Sequence, residues 1–267
     1  MSAGILNQMV MRKHLLDLTI KATQQLSRQH FLLRLTCPTP LPDMLPGQFV
    51  ELRIDNTPEV MLRRPISIHN IDRENNELWL LVAAVGSGTR WLCSLSIGDT
   101  VNCLLPLGNG FSLDKSGEHP LLVGGGVGVA PLYLLGSKLK DNGIEPTFLL
   151  GARTAQDLIQ IDMFRGLGTV HLTTEDGSAG ERGFVTQHSA LSDAAYSFIY
   201  TCGPKPMMVA VARYAHRAGV QCEASLENMM ACGLGACLCC VEKTRHGNLC
   251  VCKDGPVFNT DSLMWND

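Results

Sequence analysis

Residues 121–131 read LLVGGGVGVAP, a short apolar run followed by a glycine-rich turn and a proline. The pattern predicts a strand, a tight turn and the first residues of a helix. Glycines let a ligand approach the backbone N–H groups at the start of that helix, which favours the pyrophosphate of a dinucleotide. The stretch differs from the Rossmann fingerprint, because Val129 stands where the third glycine belongs. The candidate nucleotide-binding residues are Gly125, Gly126 and Gly128.

Apolar runs alternate with helical patterns on the carboxyl side of this turn. Strands are predicted at 121–123, 147–150, 170–173, 198–201 and 221–226, and helices at 130–139, 157–164, 183–191 and 207–218. Met207, Val211 and Ala215 share one face of the last helix, which ends before Gly219. Strands that alternate with helices indicate βαβ units and a mainly parallel, doubly wound sheet.

Two strand ends in this sheet bear on the ligand, because ligands of doubly wound sheets bind at the carboxyl ends of the strands. The second strand ends at Arg153 instead of an acid. An arginine there suits a 2′-phosphate, so the spacing does not choose between NAD and NADP. The fourth strand leads into Cys202, which lies either beside a nicotinamide or in the core as a small buried hydrophobic residue.

Residues 1–112 read as β-structure with turns. Strands are predicted at 31–36, 48–54, 66–69, 77–85 and 100–104, and this spacing indicates a small barrel or sandwich. Two strings in this part favour a phosphate-bearing cofactor over simple turns. In Arg64-Pro65-Ile66-Ser67 an arginine precedes a hydroxyl by three residues. Gly86-Ser87-Gly88-Thr89 places a glycine turn before a helix predicted at 90–95.

Six of the eleven cysteines crowd into positions 232–252. Three have the spacing C-x4-C-x2-C and a fourth follows after eleven residues, which is the plant-type spacing of a [2Fe–2S] cluster. Gly233 and Gly235 allow a tight loop whose N–H groups face the sulfurs. The alternatives are structural zinc, which usually takes paired C-x2-C knuckles, and a patch of free thiols. The predicted ligands are Cys232, Cys237, Cys240 and Cys252, and the surplus cysteines are Cys239 and Cys250.

Charge and hydropathy exclude other classes. The 267-residue chain carries 22 Lys and Arg against 25 Asp and Glu, a net charge of −3, which argues against binding to nucleic acid. No apolar run approaches the roughly 20 residues that span a bilayer. Charged residues interrupt residues 1–19, which lack the apolar core of a signal peptide. We expect a cytoplasmic protein with no membrane span.

The motifs follow one another in a set order. Arg-Pro-Ile-Ser, Gly-Ser-Gly-Thr, the glycine turn and Cys-Gly-Pro precede MACGLGAC at 230–237 and VCKDGP at 251–256. From about residue 15 onward, this order resembles the ferredoxin-reductase superfamily and, within it, the electron-transfer subunits of class 1B dihydroorotate dehydrogenases. The resemblance implies a multi-domain β and α/β fold. Its parts are an antiparallel FAD-binding β-barrel in 1–112, a doubly wound NAD-binding α/β domain in 113–221 and a small [2Fe–2S] module in 222–267.

The resemblance also implies site residues and partners. The FAD contacts are Arg64, Pro65, Ile66, Ser67, Leu81, Val82, Ala83, Gly88 and Thr89. The family usually has a larger or basic residue at the position of Ala83, so this residue is expected to offer only its backbone. The implied assembly is a heterotetramer of two such chains and two FMN-binding catalytic subunits. Electrons from dihydroorotate then pass from the partner's FMN through the cluster and FAD to NAD+, in pyrimidine (UMP) synthesis.

Two other functions stay open at this point. One is the flavin and iron–sulfur subunit of another complex, such as an NAD(P)H:ferredoxin or sulfide oxidoreductase. Those proteins often carry Asp as the first cluster ligand, whereas this chain has Cys232. The other is a zinc-stapled binding protein with no redox role, which flavin that stays bound through gel filtration would exclude.

Overall fold

The computed structural model describes residues 12–193 and 195–265. Its N-terminal part is a closed antiparallel barrel of six strands, which confirms the predicted barrel. The strands are β1 (His14–Gln25), β2 (His30–Thr36), β3 (Phe49–Leu52), β4 (Arg64–Asp72), β5 (Glu77–Ala83) and β6 (Thr100–Leu107). They neighbour one another in the order β1-β2-β5-β4-β3-β6. Residues 1–11, which the predicted first domain includes, lie outside the described residues.

The strand β1 is the longest of the barrel, but its sequence pattern does not predict it. Only Leu18 and Ile20 of its twelve residues are buried, so its period-two pattern is short. An irregularity between Ile20 and Ala22 also shifts its register against β2. The inner face of the barrel is built from aliphatic side chains such as Leu33, Val50, Ile68, Leu80 and Val101. Each such burial stabilises the fold by about 1.5–3 kcal/mol.

A seven-stranded sheet with helices forms the second part. Its strands are β7 (Pro120–Gly125), β8 (Thr147–Ala152), β9 (Thr169–Thr174), β10 (Glu181–Arg182), β11 (Phe198–Cys202), β12 (Cys222–Ser225) and β15 (Val257–Asn259). The order is β10-β9-β8-β7-β11-β12-β15, and every pair is parallel except β12 with β15. The main helices are α1 (Ser87–Cys93), after the fifth barrel strand, and α2 (Ala130–Asp141), α3 (Ile161–Arg165), α4 (Ala190–Asp193) and α5 (Lys205–Ala218). The predicted doubly wound, mainly parallel sheet is confirmed.

Two predicted helices are corrected by the structure. The helix predicted at 157–164 begins only at Ile161, because Gln160 has a left-handed backbone (φ +56°). The helix predicted at 183–191 is wrong. A short 3-10 turn (Val185–Gln187) is separated from α4 by His188, whose backbone is extended. The helix predicted at 90–95 starts three residues earlier, as α1.

Local sequence signals mark the start of α2 and the end of α5. Pro131 lies in the first turn of α2, where it lacks no hydrogen bond. His69 Nδ1 lies 2.8 Å from the carbonyl oxygen of Ala130, a buried hydrogen bond that ties β4 of the barrel to the start of α2. The predicted face of α5 is buried at Val211 and Ala215, and the helix ends at Gly219 with φ +68°.

The C-terminal residues pack on both other parts. They form the hairpin β13 (Val241–Thr244) with β14 (Gly247–Cys250), followed by α6 (Val251–Asp254). Phe49 and Leu107 of the barrel share a core with Cys240 and Val251. The strands β12 and β15 of this region belong to the seven-stranded sheet, so the cysteine-rich segment 232–252 is anchored to that sheet at both ends. The predicted domain limits stay predictions. In the part of the chain that the structure describes, no helix is long and apolar enough to cross a membrane.

Candidate electron-transfer site

The four predicted cluster ligands lie in two neighbouring pairs. The thiol of Cys232 lies near that of Cys237, and the thiol of Cys252 lies near that of Cys240. Two sulfurs for each iron is the arrangement that a [2Fe–2S] cluster uses. Among residues 12–193 and 195–265, no three His, Cys, Asp or Glu side chains converge as a site for a single metal ion.

Backbone N–H groups of the loop point at these sulfurs. Leu234 donates to Cys232 Sγ at 3.3 Å. Gly235 donates to Cys252 Sγ at 3.1 Å, and Cys252 in turn donates to Cys240 Sγ at 3.3 Å. Such hydrogen bonds stabilise thiolates and tune the potential of a bound cluster. The donor set therefore fits an iron–sulfur cluster.

The thiols differ in how readily they ionise. Partial burial opposes the ionisation of Cys232, but the N–H groups of Leu234 and Cys237 outweigh it and lower the pKa of Cys232 to about 6. Burial and the adjacent Cys240 raise the pKa of Cys252 to about 12. Because metals bind the thiolate, the site releases the Cys252 proton as it takes up metal.

Two glycines close the loop against the protein. Gly233 (φ +65°) and Gly235 (φ +80°) have left-handed backbones that side chains resist. A Cβ at Gly233 would lie 2.8 Å from Cγ of Glu51, and one at Gly235 would lie 2.8 Å from Cδ of Lys253. Glycine is thus required here by both backbone conformation and space.

We expect Cys252→Ser to lose the cluster and Cys250→Ser to keep it. Cys252 is paired with Cys240, and a serine oxygen is a poor replacement for a soft thiolate ligand. The measurement is the iron content of the anaerobically purified chain, with about two irons in Cys250→Ser and well under one in Cys252→Ser. The reverse result would make Cys250, which is buried near Cys240, the fourth ligand.

Glu51 of β3 lies directly beneath the cluster loop. Its side chain is 0% exposed, and neither carboxylate oxygen has a hydrogen-bond partner among the described residues. Burial raises the pKa of Glu51 to about 7, although the positive charge of Arg63 opposes the shift. A buried carboxylate without a partner is costly when charged, so it binds a proton more tightly in the folded chain.

We expect Glu51→Gln to stabilise the loaded chain at about pH 8 and to have little effect at about pH 5. The pKa of Glu51 rises from an ordinary 4.5 to about 7 on folding. The contribution of the protonated carboxyl group to folding stability is therefore complete below pH 4.5 and is lost as the pH rises through about 7. The loss amounts to about 3 kcal/mol, and the glutamine avoids it because it carries no charge. Melting temperatures at both pH values measure the difference. A pH-independent effect of the substitution would contradict this account.

A cavity of about 250 Å³ lies between the barrel, the start of α2 and the segment after β12. Most residues that the resemblance implies for FAD line it. They are Pro65, Ile66, Ser67, Leu81, Ala83 and Thr89. Val82 instead points into the barrel core and is 0% exposed, so only its backbone is near the cavity. The assignment of these residues to FAD stays a prediction, and their placement around one cavity supports it.

Arg64 and Gly88 lie against each other. A Cβ at Gly88 would be 2.7 Å from Nε of Arg64, so a larger residue there would displace the guanidinium from its present position. Thr89 Oγ1 accepts a hydrogen bond from the N–H of Gly86 at 3.0 Å and fixes the turn. A guanidinium beside a glycine turn is an arrangement that binds phosphate oxygens.

The cluster loop and the flavin cavity share a wall. Met230 lines the cavity two residues before Cys232, and Pro256 lines it four residues after Cys252. Two extended residues reach about 7 Å and four reach about 14 Å, which limits how far the cluster ligands lie from the cavity. The two redox sites that the sequence predicts are therefore adjacent.

A second cavity, of about 550 Å³, opens at the carboxyl edge of the parallel sheet. Gly125, Gly126 and Arg153 line it, and their assignment to a nucleotide stays a prediction. Gly128 does not line it. A Cβ at Gly128 would collide with the backbone of Gly203, so this glycine lets the two turns touch.

Cys202 is buried behind the flavin cavity. Its Sγ lies 3.9 Å from Oε1 of Glu227, and Glu227 lines the cavity. Burial, reinforced by the Glu227 charge, raises the pKa of Cys202 well above its ordinary value, so it is a neutral thiol. Desolvation by the surrounding protein also raises the pKa of Glu227, although part of this residue faces the cavity. The pair is suited to hold a proton near a flavin.

Two residues of the site, Glu51 and Glu227, are not predicted by the sequence. Neither belongs to a sequence motif. Each is placed at the site by a contact with a distant segment, Glu51 with Gly233 and Glu227 with Cys202. The one available signal for Glu51 was a charged residue at an inward position of an apolar strand, FVEL. Glu227 has no comparable local signal.

Two families of known protein domains match the C-terminal and the central parts of this chain. Residues 227–264 match the family model for the iron-sulfur cluster binding domain of dihydroorotate dehydrogenase B, and residues 122–213 match the oxidoreductase NAD-binding domain. The dihydroorotate dehydrogenase B (NAD(+)) electron transfer subunit of Shouchella clausii is 43% identical over 226 residues, 82% of this chain and 86% of that protein. The subunit of the same name from Listeria monocytogenes is 41% identical over 227 residues, 83% of this chain and 88% of that protein.

Solved structures agree with this. An NADH-dependent reduced ferredoxin-NADP oxidoreductase superposes with a TM-score of 0.84 and 30% identity, over 93% of this chain and 90% of that one. Phthalate dioxygenase reductase shares the fold, with a TM-score of 0.63 and 24% identity over 76% of this chain and 64% of that one. Fold and site together define a reductase of the ferredoxin-reductase class. Identity above 40% over four fifths of the chain narrows the class. The chain belongs to the family of dihydroorotate dehydrogenase B electron transfer subunits.

Proposed function

We propose that this chain carries electrons from the FMN of a dihydroorotate-oxidising partner, by way of a [2Fe–2S] cluster and FAD, to NAD+ in pyrimidine synthesis. The observation that carries the proposal is the wall shared by the cluster loop and the flavin cavity, at Met230 and Pro256. Electron transfer between two centres requires them to be close, and this wall joins their binding residues directly. The family of the chain supports the same function.

Besides the cluster, the residues of the chain bind and orient two groups. Arg64 and the turn at Gly88 hold the FAD phosphates, while the cavity formed by Ser67 and its neighbours takes the isoalloxazine ring. The turn at Gly125 and Gly126 holds the dinucleotide at the carboxyl edge of the sheet.

The chemistry of the bound groups explains why the chain needs both a flavin and a cluster. A flavin exchanges hydride with nicotinamide and single electrons with a cluster, so it connects the two. The residues of the chain position the bound groups and hold protons near them. We infer that Cys202 and Glu227 hold one proton between Sγ and Oε1 at the wall of the flavin cavity, and that Cys202 backs the nicotinamide subsite.

We also propose that the FMN subunit covers the cluster loop, in a heterotetramer of two catalytic and two electron-transfer chains. Leu238 is 64% exposed and Leu234 is 44% exposed on this loop, beside the exposed Cys237. Exposed apolar residues beside a redox centre suit a protein partner that accepts or delivers electrons there. We infer a cytoplasmic location, where reducing conditions keep the cluster thiols available.

The test is reconstitution with the FMN-binding catalytic subunit. The two subunits together are expected to form NADH from dihydroorotate and NAD+, and the catalytic subunit alone is not. An equal rate of NADH formation without this chain would contradict the proposal. So would a reconstituted complex that reduces NAD+ with reduced ferredoxin but not with dihydroorotate, which would favour the ferredoxin oxidoreductase alternative.

A further inference from the structure

Two carboxylates line the part of the nucleotide cavity that lies farthest from Cys202. Glu175 is the first residue after β9, and Asp157 ends the 3-10 turn that follows β8. The N–H of Glu175 donates to the carbonyl oxygen of Ala152 at 3.1 Å, which holds the two strand ends side by side. Because β9 lies three strand spacings from β11, this region is about 14 Å from the end of the Cys202 strand.

The charge of this lining is negative. Asp157 and Glu175 are opposed only by Arg153 among the charged residues that line the cavity. His30 of the barrel also faces it, but burial lowers the pKa of His30 despite the charge of Asp157, so the imidazole is neutral at pH 7. Oδ2 of Asp157 accepts a hydrogen bond from Thr154 Oγ1 at 3.1 Å, which fixes the carboxylate and leaves Oδ1 for a ligand.

An aromatic ring completes the same part of the cavity. Phe184 is 60% exposed although it lines the cavity, and it follows Gly183, whose backbone has φ +127°. An exposed ring in a nucleotide cavity offers a stacking face for a base. A base stacked on Phe184 would leave the nicotinamide toward the Cys202 side.

We propose that Glu175 and Asp157 accept hydrogen bonds from the hydroxyls of the adenosine ribose and repel a 2′-phosphate, so that the chain selects NAD+ over NADP+. An acid at the ribose position is the usual device for recognising the 2′-hydroxyl. From the sequence alone, Arg153 left the choice between NAD and NADP open. In the cavity, this one positive charge is outnumbered by the two carboxylates. The inference rests on the proposed function only in taking this cavity as the nucleotide site.

The test uses the full chain loaded with FAD and cluster, without the partner. Isothermal titration calorimetry compares adenosine 5′-monophosphate with adenosine 2′,5′-bisphosphate as probes. We expect the unmodified chain to prefer the monophosphate by at least about tenfold, because like charges are repelled across a binding interface. Glu175→Gln is expected to reduce this preference about tenfold, and the double variant with Asp157→Asn is expected to reverse it, since Arg153 is then unopposed.

Glu145→Gln is the matched control. Glu145 is an exposed carboxylate that precedes β8 at the opposite edge of the sheet. Six residues of strand separate the two edges by about 20 Å, beyond the screening length of about 10 Å, so the control keeps the preference of the unmodified chain.

Four results would overturn the inference: equal or tighter binding of the bisphosphate by the unmodified chain, an unchanged preference in Glu175→Gln, an effect of Glu145→Gln as large as that of Glu175→Gln, or no binding of either probe. Failure of the proposed function is a separate outcome. A chain that prefers the monophosphate but forms no NADH from dihydroorotate loses the proposed function and keeps this selectivity.

Discussion

A chain that carries Cys237→Ser is expected to retain its flavin and lose its cluster. Cys237 is an exposed member of the Cys232–Cys237 thiol pair, so the substitution removes one of the two sulfurs from one iron. Iron content is expected to fall from about two per chain to well under one. Dihydroorotate-dependent NADH formation by the reconstituted complex is expected to fall more than about 100-fold, because even indirect ligand partners are worth 10–100-fold.

Two comparisons make this result specific to the cluster. NADH oxidation with ferricyanide as acceptor uses the flavin and is expected to persist in Cys237→Ser. Cys239→Ser changes another exposed thiol two residues away and is expected to keep both iron and turnover. Unchanged dihydroorotate-linked turnover in Cys237→Ser would mean that electrons do not pass through this site.

The second large effect is expected for Arg64→Ala, which should release FAD. The guanidinium lies against Gly88 at the predicted phosphate seat, and a hydrogen bond to a charged group contributes about 1.5–3 kcal/mol. That range corresponds to a rise in the dissociation constant of FAD of about 10- to 150-fold. Fluorescence titration of the flavin-stripped chain with FAD gives the constant directly.

Arg53→Ala is the control for this experiment. Arg53 is another arginine of the barrel region, but its guanidinium is exposed and pairs with Asp55. Its loss is expected to leave FAD affinity within about twofold, since exposed ion pairs contribute little. An affinity for FAD that is the same in Arg64→Ala as in the unmodified chain would remove Arg64 from the phosphate seat.

The parts of the fold that the sequence predicts are those with local causes. The glycine turn at 124–128 and the alternation of strands and helices predict the doubly wound sheet, which the structure has. Cysteine spacing predicts the four candidate ligands, and the structure places Cys232 near Cys237 and Cys252 near Cys240. Only Cys252 had to be chosen over a neighbour, and its pairing with Cys240 supports the choice.

What the sequence does not predict depends on contacts between distant segments. The strand β1 carries only two buried residues, since its outer face meets solvent along most of its length. The false helix at 183–191 has a helical pattern, but Gly183 and His188 adopt extended or left-handed backbones that only the tertiary structure selects. Burial by other elements of the fold raises the pKa values of the carboxyl groups of Glu51 and Glu227.

The most direct test of the central claim is the cofactor content of the anaerobically purified chain. Two centres that share a wall predict about two irons and one FAD per chain, with visible absorption that NADH bleaches at both the flavin and the cluster. Stoichiometric zinc in a colourless protein would contradict the account, and so would iron in a chain that binds no flavin.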